Sequence, residues 1–433
     1  MAPTATAHTE AELQAIIYQG MRQFTPTFHI RYKGMIANLD AALTDAMKCA
    51  IAKDDYIAGT IQRHGYSYEG YDRDVDITIS LTYNTTAQQE QFVQQEVRRI
   101  VTNMTTRDML DVEKVQAINE WLVLHTSYSK ETNGNPHAAH TIFTEHKGVC
   151  QGYAMAAYAM LRQAGLRAHY VTGVILKNNE PHAWNLVQVD GEWYHLDVTW
   201  NDPRFQDDIR ADDFISYEYF LQSEVAMRKT RTIHDKGQPR ATSERFRVMR
   251  DIPSTLLRIN GTLYSICPSY ANGKLYAVKD DAVVCIDLTA SVPRLETIAR
   301  MYALGIVATA THIYVIDGKR GNRITEIDAL TKRVKQLQTD AVTKLCIENS
   351  AVVGYANNRV VWKQATEQVQ TATKVVDHKS GAVVRQAATK DSRTLAVLPQ
   401  HTVVHIYDEQ GDWVRVRVNG IDGYMLQNKL RTS

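Results

Sequence analysis

The sequence predicts an α+β protein in which a mixed half of helices and strands is followed by a half built almost wholly of short β-strands. Three observations carry this expectation. Residues 10–23 and 36–52 have apolar residues at helical spacing around an extended stretch at 27–32, whereas VDITISLTY at 75–83 alternates with period two. A helical pattern resumes after Thr86. Beyond about residue 250 helical patterns nearly vanish, and short apolar runs punctuated by Gly, Asn and Asp take over. At roughly 150 residues per domain, 433 residues imply two or three domains. The pattern divides into an α/β extension at 1–84, a mixed domain at 85–250, a β-rich repeat module at 251–371 and a last β unit at 372–433.

Taken in order, the first helix and strands read as a small α/β layer. In the strand at 75–83, Val75, Ile77, Ile79, Leu81 and Tyr83 share one face, which marks it as half-buried. Phe92, Val93, Val97, Ile100 and Val101 give the following helix its apolar stripe, and a second helix is expected over 111–125. Residues 126–147, rich in Asn, His and Thr and broken by Gly134 and Pro136, read as a long loop. GVCQGYAMAAYAMLRQAGL at 148–166 then reads as a helix stopped by Gly165, with Cys150 at its N-terminus. Extended segments at 168–177, 182–189 and 192–197 follow. The last two are joined by Asp190-Gly191, a pair that favours a two-residue hairpin turn.

In the β half, LYAV at 275, IYVI at 313 and VVGY at 352 recur at regular intervals, as one small antiparallel sheet per unit would require. Three such units are fewer than a closed propeller uses. The final segment alternates strands with turn residues at 408–411, Asn419-Gly420 and Asp422-Gly423.

Composition narrows the partners. The chain is 44% apolar and 22% charged, as ordinary globular proteins are. Forty-nine basic residues interleave with 48 acidic ones for a net +1, so no field large enough to hold a nucleic acid is available. No run approaches the roughly 18–20 apolar residues of a membrane span. The opening residues MAPTATAHTEAELQ lack the charged and apolar regions of a secretory signal. Five scattered cysteines, with no CxxC pair, argue against a disulfide framework, a zinc ribbon and a thioredoxin-like site.

The chemistry gathers at Cys150. A thiol becomes a useful nucleophile when a helix N-terminus and an imidazolium favour its thiolate. If Asp190-Gly191 is a two-residue turn, Val189 pairs with Glu192, His182 with Thr199 and Trp184 with Asp197. Alternation then puts His182, Trp184 and Asp197 on one sheet face, with His182 and Asp197 diagonal neighbours about 7 Å apart at the backbone. A carboxylate there would orient the imidazole and leave its second nitrogen for a thiol.

GVCQGYA around Cys150, HAWN at 182–185 and VDGEWYHLDVTWNDP at 189–203 together resemble the bacterial branch of the transglutaminase-like superfamily. The resemblance implies a papain-like core in which Cys150 is the nucleophile, His182 the base and Asp197 the orienting acid. The Gln that papain-like enzymes place six residues before the nucleophile is Thr144 here. An oxyanion is therefore expected to be held by the Cys150 N–H and a side chain of the preceding loop, with His140 as the candidate. Trp184, beside the histidine, is the candidate for the wall of a substrate cleft. The final 60 residues resemble a bacterial SH3 domain, through an Arg-containing first strand, Gly411-Asp412-Trp413 and Gly423-Tyr424.

Competing readings have less support. A cysteine in an Ala-rich helix is often only a small buried residue. His137, His140, His146 and Cys150 are numerous enough for zinc, but their spacing fits no common site and would leave the HAWN and LDVTW blocks unexplained. No cofactor and no metal is expected. The expected function is cysteine-dependent hydrolysis of amide bonds in protein or peptide substrates, with cell-wall peptide as a partner through the SH3-like unit. The alternatives are a protein-glutamine transglutaminase and a non-catalytic scaffold. Such a role places the protein outside the cell or at the wall, with its signal absent from this sequence, and otherwise in the cytoplasm.

Overall fold

The computed structural model describes residues 5–35, 38–71, 73–105, 109–202, 214–234, 237–260, 262–348, 351–366, 372–418 and 421–432. They fall into two compact units, one closing at Arg247 and the other opening at Val248, with the short segment 214–216 grouped with the second.

The first unit begins with β1 (Ala5–Ala7), α1 (Glu10–Arg22), β2 (Thr27–Tyr32), α2 (Leu39–Ala52), α3 (Asp55–Thr60), β3 (Ile61–Tyr71) and β4 (Asp74–Tyr83). The sheet order is β1-β2-β4-β3, parallel only between β1 and β2. Val75, Ile77, Ile79 and Leu81 face inward onto Leu13, Ile17 and Met21 of α1 and Leu43 and Met47 of α2. The period-two pattern of β4 is thus the buried face of this layer. Its partner β3, IQRHGYSYEGY, carries no such pattern and was not legible.

Thr86 and Gln89 form a capping box at the start of α4 (Ala87–Met104). α5 (Asp111–His125) leads to β5 (Ser127–Tyr128), α6 (Ala139–Glu145), β6 (Lys147–Gly148), α7 (Cys150–Gln163), β7 (Ala168–Val174), β8 (Pro181–Val189), β9 (Glu192–Leu196), α8 (Val198–Asn201) and α9 (Glu224–Met227). Residues 126–147 are therefore more than a loop. Buried Ile142 and Phe143 fold its second half into α6, and His146 ends that helix in the left-handed conformation (φ 55°). Helix α7 is buried on nearly every side by Tyr153, Ala154, Met155, Ala156, Ala157, Met160 and Leu161, as its Ala- and Met-rich sequence allows. The antiparallel sheet β7-β8-β9 lies against it.

The α/β layer is tied to this core by side chains. His169 Nδ1 lies 2.5 Å from Asp55, and Tyr56 donates to Glu90 at 2.7 Å. Gly59 touches Met155 so closely that a Cβ would come within 2.5 Å of the sulfur.

The second unit opens with a hairpin (255–259 and 262–266), followed by antiparallel sheets of four, four and three strands. The recurrent LYAV, IYVI and VVGY lie on strands 274–279, 312–317 and 351–356, each the second strand of its sheet. The last sheet has seven strands between residues 372 and 432, packed around Val376, Val384, Val404, Val414, Val416 and Met425. Of its expected turns, 408–411 gives way to a hairpin closing at Gly411 (φ 60°). Asn419-Gly420 lies outside the described residues. Asp422-Gly423 is not a turn but part of strand 421–426, where a Cβ on Gly423 would come within 2.7 Å of the Arg385 carbonyl; the close approach, not a bend, requires this glycine.

Candidate active site

Cys150 is the first residue of α7, and its side chain is half-buried. The preceding residue, Val149, offers no side-chain cap to the first N–H groups of the helix. Their partial positive charge lies at the end of the helix that carries the thiol. The turn into the helix is held from the 134–138 segment: Val149 N–H donates to Pro136 O at 3.0 Å, and Gly148 and Gly152 leave room for that carbonyl. Beside the cysteine, Gln151 donates to Gly59 O at 2.7 Å and accepts from His137 Nδ1 at 3.1 Å. The N-terminal layer thus reaches the residue next to the thiol, which the sequence did not reveal.

His182 lies on β8, whose register against α7 is fixed by Asn185 donating to Ala154 O at 3.0 Å. The Asp190-Gly191 turn (φ 50° and 86°) sets the expected pairing from Val189↔Glu192 to Asn185↔Leu196. There the pairing ends. Asp197 does not face Trp184 across a ladder: its N–H donates to Tyr219 O at 3.1 Å, and the residue caps α8, with Oδ1 accepting the Trp200 N–H at 3.2 Å. The cap turns the carboxylate inward, where Oδ2 accepts from His182 Nε2 at 2.8 Å. Cys150 lies near enough to His182 to help raise its pKa, and Nδ1 is the ring nitrogen left free of Asp197.

Both partners are buried, His182 at 7% exposed and Asp197 at 0%. Burial by itself would drive the imidazole towards neutrality. The Asp197 charge, followed by the hydrogen bond to Asp197 and the nearby Cys150, overrides it and holds the His182 pKa at about 9. Burial likewise favours a neutral Asp197, but His182 and Arg231 keep its carboxyl below the usual range. Imidazole and carboxylate are therefore hydrogen-bonded to each other, with the thiol next to the imidazole.

Arg231 had no sequence signal beyond a basic stretch, RKTRT at 228–232. It is 1% exposed and donates through Nη1 to Asp197 Oδ2. Its guanidinium carbon lies 4.1 Å from the Trp200 ring centroid, 4.8 Å from Tyr219 and 5.2 Å from Trp184. Residues 230–232 run beside β7, with Thr232 N–H donating to Val174 O at 2.8 Å. Gly173 makes this possible, because a Cβ there would lie 2.0 Å from Thr232 O.

The two auxiliary candidates lie elsewhere than expected. The His140 ring packs edge-on against Phe92 of α4, centroids 5.4 Å apart, and among the described residues no hydrogen bond joins it to the thiol. Phe92 remains 38% exposed and serves as that ring's platform. Trp184 is 1% exposed, so it does not line a cleft; it stacks beneath His182 at 5.8 Å and donates to His195 Nδ1 at 3.0 Å. That bond needs neutral His195, whose pKa burial presses down to about 3. Thr144 turns its hydroxyl back to His140 O. Among the described residues no group of three or more His, Cys, Asp or Glu side chains is arranged to hold a metal ion.

With this geometry in view, residues 98–198 match the transglutaminase-like superfamily and residues 380–430 match the bacterial SH3 domain, so the chain carries one domain of each kind. Among curated proteins, kyphoscoliosis peptidase of Mus musculus is 25% identical over 145 residues, 30% of this chain and 22% of the relative. The Homo sapiens protein is 29% identical over 115 residues, 23% and 17% of the two chains. The match thus spans about a fifth of each curated relative. Two solved structures show slighter likenesses. A TGase is 17% identical, with 50% of this chain and 63% of that one covered and a TM-score of 0.25. A candidate cysteine protease from Cytophaga hutchinsonii is 15% identical, with 32% and 65% covered and a TM-score of 0.22.

Proposed function

We propose that this protein is a cysteine-dependent acyl-transfer enzyme that hydrolyses amide bonds in protein or cell-wall peptide substrates, with Cys150 as nucleophile, His182 as acid and base, and Asp197 as the orienting carboxylate. The observation that carries the reading is the buried His182–Asp197 hydrogen bond beside Cys150, which stands at the uncapped N-terminus of α7.

The thiolate of Cys150 attacks the carbonyl carbon, and the carbonyl π electrons move to oxygen. That oxyanion lies by the Cys150 N–H, whose partial charge favours it. As the C–N bond breaks, the His182 imidazolium gives its proton to the departing amine, leaving a thioester. Water then attacks the thioester, the neutral imidazole takes the water's proton, and the thiolate leaves. Asp197 stays ionised throughout and stabilises the imidazolium.

Hydrolysis is favoured over transamidation because an amine acceptor must be bound while water is excluded, a further demand on the site. The description of the mouse and human relatives as peptidases supports the same choice. The SH3 domain fits a docking role for peptide, including wall peptide, and raises the local substrate concentration without entering the chemistry.

Incubation with a peptide library, with and without a primary amine, followed by mass spectrometry separates the chemistries. Cleavage supports the proposal. A one-dalton gain without cleavage, or amine incorporation, replaces hydrolysis of the peptide bond with deamidation or transamidation. No product from the intact chain, or equal product from Cys150→Ala, refutes it.

A further inference from the structure

A buried arginine is an unusual companion for the carboxylate of a nucleophilic site. Asp197 has two oxygens and three donors: Oδ1 takes the Trp200 N–H, while Oδ2 takes both His182 Nε2 and Arg231 Nη1. Arg231 and His182 thus share one oxygen. The guanidinium is held there by the Trp184, Trp200 and Tyr219 rings, and among the described residues its Nη2 is buried with no hydrogen-bond partner. An arginine kept only for stability would gain from satisfying that nitrogen. Its fixed charge is instead spent on the oxygen that binds the imidazole.

We propose that Arg231 is a positioning residue that sets the proton affinity of His182, by taking up part of the charge on Asp197 Oδ2 and so weakening that oxygen's hold on the imidazolium. The consequence is chemical. An imidazolium paired with an unshared buried carboxylate keeps its proton too tightly to release it to a leaving amine near neutral pH. A permanent positive charge on the same carboxylate oxygen lowers that affinity, and an arginine supplies it because it does not lose its proton in proteins. Three charges then alternate in sign: guanidinium, carboxylate, imidazolium. This rests on the triad reading above.

Other charged or titratable groups about the triad are few. Tyr170 lies near Cys150, Tyr219 packs on Arg231 with Glu218 near it, and neutral His195 is bonded to Trp184 with Glu224 beyond. Tyr170 and Tyr219 have pKa values raised mainly by burial, and burial keeps His195 neutral, so these groups do not change charge between pH 6 and 9.

The test is the titration of His182 in the full chain, followed by NMR of ring-labelled histidine and assigned by the signal lost in His182→Ala. The wild-type midpoint is expected at about 9. Arg231→Gln keeps a donor for Asp197 and removes the charge, so the midpoint should rise by about one unit, a tenfold weaker acid. Arg231→Lys, which keeps the charge, should stay within about a third of a unit of wild type. An unchanged midpoint in Arg231→Gln overturns the proposal. A lowered midpoint does so too, because it would mean that Arg231 merely holds Asp197 in place. If Arg231→Lys folds and Arg231→Gln does not, the charge serves the fold and the proposal also falls. Failure of the triad reading looks different: His182 would titrate near its ordinary value in the wild type, and His182→Ala would leave the alkylation rate of Cys150 unchanged.

Discussion

Asp197→Asn separates the electrostatic role of this carboxylate from its packing. The amide has nearly the same shape, but its single oxygen can accept either the Trp200 N–H or the His182 N–H, not both, because the carboxylate uses a different oxygen for each. The variant also loses the charge and leaves Arg231 buried without a counter-ion, a loss of about 3–5 kcal/mol. The pH dependence of that loss follows from His182. Its pKa is raised from 6.5 to about 9 in the folded protein, which corresponds to about 3 kcal/mol. A raised histidine stabilises fully below its unfolded pKa, and the contribution disappears as pH rises through the folded pKa. The wild type should therefore exceed Asp197→Asn in stability most at about pH 6, and about 3 kcal/mol of the difference should be gone by about pH 9.5. Urea unfolding of both proteins across this range measures it. Activity should fall roughly 10²- to 10⁴-fold, less than in His182→Ala, because the aspartate orients and stabilises the imidazole without taking its proton. A stability difference that does not shrink between pH 6.5 and 9.5 would refute the claim that His182 is held charged by Asp197.

Three further outcomes follow from the same geometry. Cys150→Ala should fold like the wild type and lose all but about 1% or less of the turnover, since a small half-buried thiol is removed; larger residual activity measured against the same peptide takes Cys150 out of the nucleophilic role. Iodoacetamide, read out by peptide mapping, should modify Cys150 at least about tenfold faster than the more exposed Cys49, and Cys285 should be slowest because burial pushes its pKa up to about 12; equal rates at Cys49 and Cys150 in the folded chain would contradict activation. Gly173→Ala should cost about 1–3 kcal/mol and lower activity as well, because the new methyl would push against Thr232 O, beside Arg231, and against the Trp184 ring; a thermal melt and rate equal to wild type would show that the 230–232 segment does not need to lie where it does.

What the sequence determined by itself was whatever depends on short-range pattern. Period-two alternation located β4, and the Asp-Gly pair fixed the β8–β9 register, because both signals are written within a few residues. The three blocks around Cys150, His182 and Asp197 were legible for the same reason, as was the recurrence that underlies the small sheets of the second unit. Tertiary structure decided what depends on residues distant in the chain. Nothing in AHTIFTE or IQRHGYSYEGY announces that burial of Ile142 and Phe143 will fold α6, or that β4 will recruit β3 as its neighbour. Strand pairing brings His182 and Asp197 near each other, but the Asp197 cap on α8, set by backbone bonds to residues 219 and 201, aims the carboxylate. Trp184 looked like a cleft residue because alternation gives a face without saying whether that face meets solvent or core. Arg231 was invisible because a surface arginine and a buried one are spelled alike. Only the meeting of β7, α8 and the 230–232 segment, around a glycine with no room for a Cβ, removes its charge from water and sets it on the same oxygen as the histidine.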